Sequence, residues 1–106
     1  MMKGGHCTLS LNNVNQKKIE KAAEIFKGFG NPIRIKIIDL LRDQSLRVKE
    51  ISEALDYSQP IISQQLKILK GNGIVNRIKK KQSYLYELTD PHYSDMIKCM
   101  KGCLGI

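Results

Sequence analysis

A mainly α-helical fold is what the sequence predicts, with four helices followed by a two-stranded β hairpin and a fifth helix. Three observations carry it. Apolar residues recur every three or four positions through four successive segments ahead of Gly71. Between Ile74 and Thr89 the recurrence shortens to every second residue. Asn, Ser and Pro stand at the joints, where helix starts need a side-chain acceptor and tolerate a missing N–H.

Residues 1–14 show no sustained periodicity and are expected to form an N-terminal arm; residues 15–106 are expected to form one domain. The first helix follows Asn15, with Ile19, Ala22, Ala23, Phe26 and Phe29 on one stripe, and stops at Gly30. Asn31 caps a second helix that has Pro32 at its first position and gives Ile33, Ile37, Ile38 and Leu41 to a core, with Ile35 and Leu40 widening the face. A loop at Gln44–Leu46 precedes a third helix, "RVKEISEALDY", with Val48, Ile51 and Leu55 at helical spacing. Ser58 caps the fourth, Pro60 lies in its first turn, and Ile62, Leu66 and Leu69 share its inner face until Gly71 and Gly73 end it. "IVNRIKK" and "SYLYELT" are the two strands, joined by a basic turn near Lys80–Gln82. Thr89 or Asp90 caps the last helix, "PHYSDMIKCMKGC". No repeat, low-complexity tract or linker divides the chain.

Two short amphipathic helices across a tight turn are helix-turn-helix anatomy, and the basic hairpin after them stands where a wing would. In the stretch "YSQPIISQQLKILKGNGIV", turning Ile62, Leu66 and Leu69 inward leaves Gln59, Ser63 and Gln64 outside, with Lys67 at the edge. Gln presents its amide to adenine N6 and N7, Ser serves several base edges, and Lys reaches guanine or phosphate. The positive N-terminal end of the helix, with its free N–H groups, suits a nearby phosphate. The expected DNA-contacting set is therefore Ser58, Gln59, Pro60, Ser63, Gln64, Gln65 and Lys67, with Arg77, Lys79, Lys80 and Lys81 of the hairpin supplying affinity that carries little base information. Ile61 lies off the core stripe and has two open uses, packing on the third helix, which we favour, or meeting a thymine methyl.

Composition agrees with an anionic partner. The 106 residues carry 18 Lys and Arg against 10 Asp and Glu, a net charge of +8 and a pI near 9.5. The excess is local, because Lys67, Lys70, Arg77, Lys79, Lys80 and Lys81 fall in one stretch with no acidic residue. No apolar run approaches the roughly 20 residues that cross a bilayer, and "MMKGGHCTLSLNN" has no signal-peptide core, so a cytoplasmic protein without membrane partners is expected. A phosphate loop, a paired-carboxylate cleft and a nucleophile with an adjacent base are all missing, which argues against an enzyme.

The run from Phe26 to Asp90 resembles the ArsR/SmtB family of winged-helix repressors. "GNPIRIKIIDLL", "SQPIISQQLKIL" followed by "GIV", and "KKKQSYLYEL" carry the likeness. The resemblance implies a homodimer held by the first and last helices, which binds double-stranded DNA at an imperfect palindrome and blocks transcription, with recognition helices in major grooves one turn apart. It also implies places to look for an inducer. The third-helix cysteine pair of the arsenic and cadmium type is replaced by Arg47 and Lys49, which cannot ligate a metal. Of the zinc type's last-helix ligands, Asp90, His92 and Cys103 fall on three positions, Cys103 coming from the partner's helix, and Ile106 falls on the fourth.

The cysteines offer a different route. Three are present, an odd number that argues against a disulfide scaffold. Cys99 and Cys103 are one helical turn apart, and Cys7 is on the arm. Together they are candidates for a soft metal or metalloid ion, or for redox chemistry with no ion; packing in a dimer seam is the plain alternative. A regulator with no small-molecule inducer and a winged-helix protein-interaction module are the other readings.

Overall fold

A computed structural model describes residues 15–106; the expected arm over 1–14, and Cys7 with it, lies outside the described residues. The elements run α1 (Gln16–Gly28), α2 (Pro32–Leu40), α3 (Val48–Leu55), α4 (Gln59–Gly71), β1 (Val75–Lys80), β2 (Ser83–Leu88) and α5 (His92–Leu104), in the expected order. No helix among these residues is long and apolar enough to cross a membrane.

The helix starts are set by side chains. Asn15 Oδ1 accepts from the Lys17 N–H at 2.7 Å, and Asn31 Oδ1 accepts from the Ile33 N–H at 2.8 Å. The Ser58 hydroxyl accepts from the Ile61 N–H at 3.4 Å. At α3 the acceptor reaches backwards, with Glu50 Oε1 taking the Arg47 N–H at 2.8 Å. α5 begins one residue later than expected. Asp90 Oδ1 accepts from the His92 N–H at 2.9 Å, while the Thr89 hydroxyl donates to Gly73 O and Ile74 O and so ties the two ends of the hairpin together.

α3 is shorter than its periodicity suggests, because Asp56 turns left-handed at φ 60° and ends it. Asp tolerates that conformation better than most residues. Ser52 donates its hydroxyl to Tyr57 O, closing the turn into α4. The wing turn uses the same backbone device at Lys81, where φ is 58°.

The core is one cluster. Ile37 and Ile38 of α2, Leu41 just after it, Ile51 of α3, Ile62, Leu66 and Leu69 of α4, Ile74 and Val75 at the start of the hairpin, and Ile97 of α5 are all buried. β1 and β2 pair antiparallel with Val75 opposite Leu88, Arg77 opposite Tyr86 and Lys79 opposite Tyr84. Leu46 adds a one-residue third rung, exchanging backbone hydrogen bonds with Tyr86 at 2.8 and 3.0 Å, so the wing is fixed to the loop before α3.

The α1 stripe is divided between the core and the surface. Ile25 and Phe29 pack on the core, and Phe29 meets Tyr93 of α5 edge-on with ring centroids 6.2 Å apart. Gly28 lies so close to Ile74 that a Cβ there would overlap its side chain. Ahead of that last turn Ala22, Ala23 and Phe26 face outward, Phe26 with 62% of its surface exposed. Part of the apolar stripe is thus left open in the protomer.

Candidate nucleic-acid interface

α3 packs across α4 behind the turn at Asp56–Ser58, and the buried Ile62, Leu66 and Leu69 fix the rotation of α4 about its axis. That rotation leaves Gln59, Pro60, Ser63, Gln64 and Lys67 exposed. Ser58 is also exposed, with its hydroxyl engaged in capping.

Gln65 stands apart from this set. It is half-buried, and its Oε1 accepts from Arg34 Nη1 at 2.9 Å, which ties its carbonyl to the packing of α4 on α2. One residue is 100° of helix, enough to carry Gln65 from the outer face occupied by Gln64 to the flank. Ile61 departs in the other direction. It keeps 39% of its surface exposed in the first turn of α4, so α3 does not bury it.

The hairpin continues the surface. Directly opposite residues share a face of a β ladder and alternate residues return to it, so Arg77, Lys79, Tyr84 and Tyr86 lie on one side together with the buried Val75. Between this side and α4 is a cleft of about 460 Å³ lined by Ser63, Lys67, Lys70, Arg77 and Tyr86. Three cations and two hydroxyl-bearing side chains thus meet where helix and wing diverge. Lys80 and Lys81 are exposed at the tip. A second hollow, about 270 Å³, is lined by Asp43, Gln44, Ser45, Glu87 and apolar neighbours; its carboxylates make it a poor seat for an anion.

Several supporting residues were not singled out in the sequence. Arg34 donates Nε to Gly28 O at 3.0 Å and Nη2 to Lys27 O at 3.2 Å as well as Nη1 to Gln65, joining α1, α2 and α4. Lys36 donates to the Tyr57 hydroxyl at 2.9 Å beside the turn. Arg47 donates Nε to the Ser83 hydroxyl at 3.1 Å, fastening the start of α3 to the wing. Tyr84 has Arg77 4.3 Å and Lys79 5.9 Å from its ring centroid. Periodicity carries no signal for such contacts, because each joins residues distant in sequence or depends on strand register.

The residues considered for sensing lie on or beside α5. Cys99 and Cys103 are free thiols, both exposed. Lys101 between them forms an ion pair with Asp39 of α2 at 3.1 Å, which holds the helix to the body. Asp90 and His92 meet, with Oδ1 and Nδ1 2.7 Å apart, but Cys103 lies at the far end of the helix. Among the described residues no three His, Cys, Asp or Glu side chains of one protomer converge as a metal site. The Asp90 carboxyl titrates below its ordinary value, chiefly because it accepts the His92 backbone N–H and then because of the His92 ring.

The family model described as bacterial regulatory protein, arsR family, matches residues 31–77, from the cap of α2 into β1. The HTH-type transcriptional regulator MJ1325 of Methanocaldococcus jannaschii is 43% identical over 83 residues, covering 77% of this chain and 93% of that protein. The chain belongs to the ArsR family. It is therefore a DNA-binding winged-helix transcriptional regulator and not an enzyme. Two further proteins are also similar to it. The structure of HlyU from Vibrio cholerae superposes with a TM-score of 0.74 at 32% identity, covering 84% of this chain and 97% of that one. The repressor SmtB of Mycobacterium tuberculosis is 35% identical over 79 residues, which are 74% of this chain and 58% of that protein, so the match spans little more than half of SmtB.

Proposed function

We propose that this protein is a cytoplasmic homodimeric repressor that reads an imperfect palindrome through α4 of each protomer. Ser58, Gln59, Pro60, Ser63, Gln64 and Lys67 are the contacts in the major groove and on its flanking phosphates. Arg77, Lys79, Lys80 and Lys81 hold the adjacent backbone. The observation that carries this reading is the continuity of the exposed polar face of α4 with the basic cleft and wing, since a protein-interaction module has no use for that many cations beside a hydrogen-bonding helix face. An electrophoretic binding assay with the DNA upstream of its own gene, at several salt concentrations, tests it. A sequence-specific complex that weakens steeply with salt is expected, and no specific complex would sink the reading.

Dimerisation through α1 and α5 is supported by what the protomer leaves open. Ala22, Ala23 and Phe26 are exposed on α1, and Met96, Leu104 and Ile106 at and beyond α5, with Leu104 64% exposed. Burying a Phe or Leu side chain contributes about 1.5–3 kcal/mol. Sedimentation of the wild type and of Phe26→Glu should show a dimer that dissociates in the variant.

Release by a thiol-directed signal is the second part of the proposal. It is supported by two exposed thiols one helical turn apart on a helix assigned to the subunit seam, with Cys7 as the candidate third sulfur for a soft metal or metalloid. Titrating the reduced protein on its operator with Cd(II), arsenite, Zn(II) and an oxidised sulfur donor separates the choices. Release that needs Cys99 and Cys103 supports thiol sensing, whereas release by Zn(II) that needs Asp90 and His92 supports the carboxylate–imidazole site. No response to any of them leaves a regulator without such an inducer.

A further inference from the structure

Arg77 occupies two environments at once. Its guanidinium carbon is 4.3 Å from the centroid of the Tyr84 ring, and the same side chain forms one wall of the cleft that Ser63, Lys67, Lys70 and Tyr86 complete. A guanidinium stacked on an aromatic face keeps its in-plane N–H groups free, and these match two phosphate oxygens. An unstacked arginine on an exposed strand would instead sample many rotamers. The stack depends on register, because Tyr84 faces Lys79 across the ladder while Arg77, two residues back on the same side, reaches diagonally to the ring.

We propose that the cleft between α4 and β1 seats a single backbone phosphate of the bound duplex, and that Tyr84 is the positioning residue that presents Arg77 to it. The phosphate meets Arg77 from the wing and Lys67 and Lys70 from α4, with the Ser63 and Tyr86 hydroxyls as neutral donors. This rests on the DNA-binding reading and sharpens it, since an aromatic residue assigned no DNA contact of its own sets the strength of an ionic one.

The test uses a neutral substitution. Tyr84→Leu leaves net charge unchanged, yet losing one phosphate contact should weaken binding to a generic 30-base-pair duplex by about three- to tenfold and flatten the slope of log K against log salt by about 1. Tyr84→Phe keeps the ring and should bind as wild type. Arg77→Met should repeat the effect of Tyr84→Leu, and the double variant should lose no more than Arg77→Met alone. Tyr84→Ile repeats the measurement with a residue that favours strands, and melting curves of each variant report whether the hairpin is intact. A wild-type salt slope in both apolar variants overturns the proposal. So does loss by Tyr84→Phe equal to that of Tyr84→Leu, or losses that multiply in the double variant. If the wild-type protein binds no duplex, the DNA-binding reading itself has failed.

Discussion

The Arg34 guanidinium donates to the Gln65 side chain across 2.9 Å and, with its other N–H groups, to the carbonyls of Lys27 and Gly28. One side chain thereby gives Gly28 O a donor, adds a second donor to Lys27 O beside the Gly30 N–H, and fixes the flank of the recognition helix. Because the site is half-buried, its hydrogen bonds are worth less than enclosed ones. Arg34→Met or Gln65→Ala should each lower unfolding stability by about 1–2 kcal/mol, with a double variant that falls short of the sum. Urea unfolding measures this. Gln65→Ala should leave base preference intact; relaxed preference in that variant would return Gln65 to the reading face.

Gln64, its neighbour in sequence, is predicted to behave differently. It is exposed on the face away from the buried Ile62, Leu66 and Leu69, where an amide can pair bidentate with a base edge. Gln64→Ala should leave unfolding unchanged and cost about 1–3 kcal/mol of discrimination between operator and altered operator, with non-specific affinity preserved. Equal loss on both DNAs would contradict the assignment.

Lys80 and Lys81 stand at the wing tip, exposed and without an acidic partner among the described residues. Exchanging both for Ala should weaken specific and generic binding alike and lower the salt slope by about 2. Competition titrations at three or more salt concentrations read both quantities. A change confined to the specific site would mean that the wing reads bases.

The element order was legible because four of the five helix starts have a local cause of one kind: Asn15, Asn31, Ser58 and Asp90 each act on an N–H two or three residues ahead. The outer face of α4 was legible for a related reason, since three buried residues fix its rotation. The hydrogen bond from Arg34 to Gln65 was not legible, because Arg34 lies on another helix and the periodicity of α4 contains nothing about it. The apolar stripe of α1 was legible as a face, but periodicity says only that such a face favours cover, and Phe26 keeps 62% of its surface exposed in the protomer. Tyr84 read as one more alternating strand residue, and only the register with Lys79 and the diagonal to Arg77 give it a task.

The start of α5 supplies a prediction in acid. Asp90 accepts the His92 backbone N–H, lies 2.7 Å from its ring, and holds its proton less tightly than the ordinary 3.8. A carboxyl whose folded value lies below its unfolded value stabilises the fold fully above the unfolded value and loses that contribution as pH falls through the folded one. Melting temperature should therefore decline as pH drops from about 4, in part through Asp90. Asp90→Asn keeps an oxygen for the N–H but has nothing to protonate, so it should melt slightly lower than wild type at neutral pH, where the ionised carboxylate contributes, and the two proteins should converge in acid as this part of the decline goes missing. Thermal melts from pH 2 to 7 in constant ionic strength compare the two proteins. Identical acid limbs would show that the capping carboxylate is not linked to folding.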